Sequence, residues 1–201
     1  MKHPVFQHLT KKNKKIIQLS NKSIYHQSYP AILSMTQELS DNSDATAIYT
    51  LATTVYGWMP TILKQIDLCK FLMPRDKIFS RIRSVGSFEE AINLVQDMTD
   101  GPPINNSWVG TSKFLHFVNP EWFAIWDSKV ALHFDLKSHA LHKRDHYIDY
   151  LKYISKTITE NPNSIDCIGE EIHKKFGYRP TKTRSLELIL FLSPPPCELN
   201  K

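Results

Sequence analysis

The sequence predicts an all-α protein, and three observations carry that expectation. Apolar residues recur at three- and four-residue spacings over most of the chain, and no stretch alternates with period two for long. Glycine is scarce, six in 201 residues, so the turn-rich pattern of a many-stranded protein is missing. Helix punctuation is dense, from Ser87 and Ser164 as starts to Gly177 and a run of prolines as stops. The expected architecture is a single multi-helix domain over residues 1–201. It would be built as two interlocked helical subdomains with a cleft, the chain crossing near 100–106 and again near 160–164.

The elements follow in order. Residues 1–23 carry Lys11, Lys12, Lys14 and Lys15, with Ile16, Ile17 and Leu19 able to pack them down. A solvated helix start accounts for this run, and a phosphate-contacting arm is the functional alternative. Tyr29-Pro30 opens a helix to about Ser40, with Ile32, Leu33, Met35 and Leu39 in register. Residues 41–44 supply turn and capping side chains. The next helix, Ala45 to Trp58, is apolar nearly all round, which marks a helix central to a core. Pro60 fits the first turn of a further helix reaching about Phe71, and Met73 to Asp76 reads as a loop.

Ser87 followed by Glu90 is a capping box. It starts a helix with Ala91, Ile92, Leu94, Val95 and Met98 inward, which Asp100-Gly101-Pro102-Pro103 ends. A short helix follows Asp127 to about Phe134. Ser138 to Glu160 reads as one long helix with Ile148, Leu151, Ile154 and Ile158 along one side. Ser164 caps another, closed by Gly177. Thr183 to Leu192 is the last, and Pro194-Pro195-Pro196 forbids its continuation. Trp122 to Trp126 is at most a short extended piece, and no internal repeat is visible.

Composition narrows the class. Hydrophobic residues make up 41% of the chain and aromatics 11%, enough for a real core. No apolar run reaches ~18 residues, so no membrane span is expected, and the lysine-rich start lacks the apolar segment of a secretory signal. The three cysteines, Cys69, Cys167 and Cys197, are far apart and odd in number, which argues against a disulfide framework and a C-x-x-C metal site. A reducing, cytoplasmic compartment fits. No cofactor and no obligate protein partner are expected. The net charge of +5 and a pI near 9.0 are compatible with a polyanionic partner.

The most informative stretch is Val109 to Val130, VGTSKFLHFVNPEWFAIWDSKV. Lys113 and Asp127 bracket an aromatic lining, broken once at Asn119-Pro120. The segment Ile125-Trp126-Asp127-Ser128-Lys129-Val130, with Gly110 and Lys113 upstream, resembles the helix-hairpin-helix DNA glycosylases. In that family a glycine-containing hairpin carries the lysine of the bifunctional members, and an apolar run ends in a catalytic aspartate. The family hairpin reads hydrophobic-Pro-Gly-x-Gly. Here Ile104 to Gly110 keeps only Gly110, and the span from Lys113 to Asp127 is a few residues short.

The resemblance implies an enzyme that flips a damaged or modified base out of double-stranded DNA and hydrolyses its N-glycosidic bond. Asp127 would stabilise the oxocarbenium-like sugar. An aspartate ahead of a helix is also the usual N-cap, and the two roles are compatible. Lys113 would be a Schiff-base nucleophile in a glycosylase/lyase. The incomplete hairpin and short span instead favour a monofunctional enzyme with water as nucleophile, and a phosphate contact for the lysine. Trp126, His116, Tyr56, Trp122 and Trp108 are the candidates for the base pocket. Gly110, Thr111 and Ser112, at a helix start that attracts anions, and Lys129, Arg184, Lys143 and Arg144 are the candidates for DNA contact.

Arg184 and Glu187 share a helix face, as a surface ion pair or as a brace for the aspartate. His139, His142 and His146 with Asp145 suggest metal ligation, His142 and His146 by an i, i+4 spacing. No third convergent ligand accompanies them, so a basic helix end is the expectation and no metal is assigned. The competing reading of the whole chain is a non-catalytic helical nucleic-acid-binding or protein-interaction domain. Departure from the family hairpin is compatible with a specialised role in DNA repair or anti-phage defence, such as attack on modified bases of invading phage DNA.

Overall fold

The computed structural model describes residues 4, 6, 24–39, 45–59, 61–98 and 101–193. The lysine run at 11–15, the expected turn at 41–44, the proline run at 194–196 and Cys197 lie outside the described residues. Among the described residues every regular element is helical. The α-helices are α1 (Ile24–Glu38), α2 (Ala45–Trp58), α3 (Ile78–Arg83), α4 (Phe88–Asp97), α5 (Trp108–Val118), α6 (Ser128–Leu132), α7 (Arg144–Glu160), α8 (Pro162–Phe176) and α9 (Lys182–Leu192). Short 3₁₀ turns lie at Leu68–Phe71, Arg75–Lys77 and Ser138–His142. The single β pairing among the described residues is an isolated antiparallel bridge between Ile66 and Ile104. No helix there is long and apolar enough to cross a membrane.

The sequence signals explain most boundaries. Ser87 Oγ accepts the Glu90 N–H at 3.1 Å, while Glu90 reaches back to the Gly86 N–H at 2.8 Å, so the reciprocal carboxylate contact falls one residue outside the expected box. Gly177 ends α8 with φ of 78°, the left-handed conformation that favours glycine. Thr181 caps α9 by accepting the Arg184 N–H at 3.0 Å.

Four expectations need correction, the briefest being Ser164, which lies inside α8 while Asn161 stands at its N-cap position; one further element was not expected. Helix α1 begins at Ile24, and Pro30 lies inside it, in the second turn; the proline removes the N–H that would reach the His26 carbonyl. Residues 61–67 are not helical. Asn105, itself left-handed with φ of 52°, holds them extended: its Oδ1 accepts from the amides of Lys64 and Gln65, and its Nδ2 donates to the Ile62 carbonyl. Ile78–Arg83, unassigned from the sequence, is a short helix with Ile78, Phe79 and Ile82 buried. The long helix expected over 138–160 is two elements, a 3₁₀ turn and α7, with a break at Lys143.

The core is one continuous apolar cluster running from α1 to α9. Helix α5 is buried at nearly every position and packs against α1, α2 and α3. Helix α9 is equally buried and packs against α6, α7 and α8, while α4 lies on α7. Between α5 and α6 the chain returns as an extended segment, 123–126, all of it buried. The two most buried helices and this segment therefore meet where Lys113, Asp127 and Arg184 stand.

A candidate active site at the meeting of α1, α5 and α9

Lys113 sits in the middle of α5, and Asp127 at the end of the extended segment. Their side chains meet: Lys113 Nζ lies 3.2 Å from Asp127 Oδ2. The lysine side chain is 6% exposed and the aspartate 20%, so the pair has one face toward solvent, on the aspartate side. The other aspartate oxygen, Oδ1, accepts the Lys129 N–H at 3.0 Å and caps α6. One carboxylate oxygen thus caps α6, as foreseen, while the other faces the lysine. The short span between them does not keep the groups apart.

The residues beside the pair fix its geometry. Ser112 Oγ accepts the Trp126 N–H at 2.9 Å, stitching α5 to the extended segment one residue before each partner. One turn along α5, His116 Nδ1 lies 2.7 Å from the Phe123 carbonyl and His116 Nε2 lies 2.7 Å from the Tyr29 hydroxyl. A carbonyl only accepts, so Nδ1 carries the proton and Tyr29 donates to Nε2. Burial, and then the nearby Arg184 guanidinium, push the His116 pKa down to about 3, which keeps the ring neutral. Tyr147 adds a 3.0 Å hydrogen bond to the Ala124 carbonyl.

Behind the pair lies a second one. Arg184 and Glu187 form a salt bridge within α9 with both side chains almost wholly buried. The Arg184 guanidinium stands 4.4 Å over the Tyr29 ring. Burial raises the Glu187 pKa, against the pull of Arg184. Burial also lowers that of Lys113, against the pull of Asp127.

All four charges line one pocket of about 340 Å³, whose remaining wall includes Tyr25, His26, Trp58, Ile125, Lys129 and Phe191. That volume lies at the low end of the roughly 300–1,000 Å³ typical of small-ligand sites. Lys129 Nζ rests 4.6 Å over the Phe191 ring at its edge.

The other residues proposed from the sequence fall elsewhere. Trp126, His116 and Trp108 are fully buried and not in this pocket wall. Trp126 packs on Phe134 and Tyr150, and Trp108 stacks on Tyr147. Trp122 meets Phe88 edge-on, 5.3 Å between centroids. Tyr56 and Gly110 line a different, more open cavity of about 700 Å³ with Asn105 and Lys64. There the Tyr56 hydroxyl lies so close to Gly110 that any larger residue would collide with it. Thr111 Oγ1 accepts the Ile104 N–H, and Thr111 and Ser112 are both buried.

Arg144 donates to the carbonyls of Gln96 and Met98 and so closes the end of α4, while its neighbour Lys143 is exposed. Arg184 is committed to Glu187 in the interior. His142 belongs to the 3₁₀ turn and His146 to α7, so they do not share one helical face; His146 Nδ1 lies 2.8 Å from the Ala140 carbonyl. Among the described residues no three His, Cys, Asp or Glu side chains converge as metal ligands.

Tyr25, His26 and Phe191 are pocket residues that the sequence reading missed. Phe191 lies on a helix read as core, and Tyr25 and His26 lie ahead of the helix start expected at Tyr29. Comparison of the chain with protein-family models, with curated proteins and with solved structures finds no match.

Proposed function

We propose that the protein is a DNA glycosylase-like hydrolase that takes a damaged or modified base, flipped out of duplex DNA, into the pocket at Lys113 and Asp127. The observation that carries this reading is the Lys113–Asp127 pair itself, set in the wall of a mostly apolar pocket with the carboxylate toward the opening. It lies in the stretch whose residues resemble the helix-hairpin-helix glycosylases. The excess of lysine and arginine supports a polyanionic partner.

In this reading the C1′–N bond breaks with its electron pair leaving on the base, and positive charge grows on the sugar. Asp127 faces that charge, in surroundings apolar enough to strengthen its field. Water supplies the oxygen that bonds C1′ and its proton passes to Asp127; the departing base takes up a proton from solvent and Asp127 returns its own there, leaving an abasic sugar and a neutral base. Lys113 holds the carboxylate in place as its counter-ion. The Lys113 amine is taken up by Asp127 at 3.2 Å, and this commitment supports water over the lysine as nucleophile. The proposed setting is the cytoplasm, in DNA repair or in defence against modified phage DNA.

The test is a panel of duplexes carrying assorted base lesions and modifications, incubated with the protein and assayed for abasic sites. Base release by wild type that is lost in Asp127→Asn supports the reading. Tight DNA binding without release from any duplex, and no difference between the two proteins, supports instead the non-catalytic binding module.

A further inference from the structure

Helices α1 and α2 lie side by side, and a further groove of about 340 Å³ runs between the start of α1 and the end of α2. Its wall comes from these two helices alone, including Ile24, Tyr25, Ser28, Thr54, Gly57 and Trp58. Trp58 Nε1 donates to the Tyr25 carbonyl at 3.3 Å and the two rings meet edge-on, so the groove is preformed. Charge is missing from this part of the molecule. Fifteen residues in α1 and fourteen in α2 carry one charged side chain, Glu38 at the far end of α1, although 22% of the chain is charged and about six would be expected in an average stretch of that length. The other long solvent-facing helices do carry charge: α7 exposes Asp145, Lys152 and Lys156, and α8 exposes Asp166 and Lys174. Large apolar side chains stand in its place, with Ile24 65% exposed, Tyr49 48% and Tyr25 44%. Gly57 faces the groove with nothing within 4 Å of where a Cβ would stand, and its backbone is not left-handed. A glycine within a helix costs stability relative to alanine, and no contact inside the chain requires one here.

We infer that this face binds a second copy of the chain in a two-fold dimer, Tyr49 of each copy entering the groove beside Gly57 of the other. Charge and shape select that occupant. Each chain carries +5, so two copies repel, and they meet at least cost on a face without charge. The same feature argues against DNA here, which is held through its phosphates. A two-fold contact needs a knob and a hole on one surface, so that each copy gives what the other receives. The exposed positions of α2 are Thr46, Tyr49, Thr50, Thr53 and Gly57, whose three- and four-residue spacings put them on one face. Along that face Tyr49 stands about 12 Å from Gly57, at the helical rise per residue. Two helices abreast, each about 21 Å long and about 10 Å wide, present about 400 Å² per copy. Stable complexes bury about 800 Å² per partner, so this dimer belongs to the weak class. The inference stands whether or not the pocket at Lys113 and Asp127 excises a base.

Sedimentation equilibrium of the full chain at rising concentration should show a reversible dimer with a dissociation constant in the high-micromolar range. Added salt screens the repulsion between the two copies and should tighten the dimer, whereas a contact made of ion pairs would loosen. Backbone amide resonances that move with concentration should belong to the exposed residues of α1 and α2. Tyr49→Lys places an ammonium in the uncharged groove and should leave a monomer at every concentration. Gly57→Ala narrows the groove and should weaken association several-fold, with a melting temperature in dilute solution no lower than that of wild type. Neither residue belongs to the core, so both variants should keep the fold, which circular dichroism checks. A wild type that stays monomeric with unmoved resonances overturns the inference. So does a dimer that salt loosens, or one that either variant forms as tightly as wild type, since such a dimer uses another contact. Resonances of α1 and α2 that move only on adding neutral phosphatidylcholine vesicles, or only on adding duplex DNA, would give the face to a bilayer or to nucleic acid and overturn it equally.

Discussion

Glu187→Gln isolates the buried Arg184–Glu187 pair, because it keeps the side-chain shape and removes only the charge. In the wild type both side chains are under 5% exposed, and Arg184 is surrounded by Tyr29, Tyr178, His26 and the other pocket residues. Without Glu187 its charge is buried and uncompensated, since guanidinium does not deprotonate in this range. Breaking a buried pair from one side costs about 3–5 kcal/mol. For a chain of this length that corresponds to a Tm lower by roughly 6–20 °C, at about 2–4 °C per kcal/mol.

Replacing both partners together, as Arg184→Met with Glu187→Leu, removes both desolvation penalties. It should return most of the lost stability, minus the guanidinium–ring contact with Tyr29, worth about 0.5–2 kcal/mol. Thermal and urea unfolding of wild type, single and double variants give the comparison, with m-values showing whether the unfolded reference has shifted. A Glu187→Gln protein melting within 2 °C of wild type, at the ~1 kcal/mol or less that this implies, would refute the assignment of an interior pair. A double variant as unstable as the single would refute the reasoning that the unpaired charge causes the loss.

Three further outcomes follow from the same geometry. Asp127→Asn keeps a capping oxygen for the Lys129 N–H but removes the charge that the proposed mechanism sets against the sugar; base release should fall by roughly 10²-fold or more with the fold retained, and single-turnover excision rates check it. Borohydride should trap no covalent adduct between wild-type protein and DNA, and Lys113→Ala should weaken DNA binding modestly while leaving single-turnover excision at saturating DNA mostly intact; efficient trapping lost in Lys113→Ala would make the amine the nucleophile. His116 titrates near 3 folded against about 6.5 unfolded, so its contribution to stability is complete above pH 6.5 and is lost as pH falls through that value toward 3. His116→Gln should therefore flatten the acid limb of stability, measured by urea unfolding between pH 6 and 4, by about 1.4 kcal/mol per pH unit.

The all-helical character was legible because it rests on local signals. The box at Ser87, the left-handed Gly177 and the apolar surround of α2 each act within a few residues. Where the reading failed, a long-range partner decided the outcome. Residues 61–67 carry no local instruction to stay extended. They do so because Asn105, some forty positions later, takes up the amides of Lys64 and Gln65 that a helix would otherwise use. The break at Lys143 likewise coincides with Arg144 turning to the end of α4. Proline inside α1 misled for the opposite reason: packing of Tyr29 and Ile32 into the core outweighs one missing backbone bond.

The same division runs through the site. Lys113 and Asp127 could be picked out because the chain between them is short and their chemistry is conspicuous. The aromatic residues nearest to them in sequence were the natural choice for a base pocket, yet that nearness is what buries them. A helix and a returning segment that bring the Lys113 and Asp127 side chains to one surface must pack the intervening side chains inward, and Phe114, Phe117, Phe123 and Trp126 are all in the core. His116, between them, is consumed by the hydrogen bonds that hold the two strips together. The pocket wall has to come from elsewhere, and it does: Tyr25 and His26 from α1, Trp58 from α2, Arg184, Glu187 and Phe191 from α9. Helix α9 was legible as an apolar run, and its arginine stood out as an anomaly there. The arginine is tolerated in a helix buried to close the core because it carries its own counter-ion one turn along the same helix.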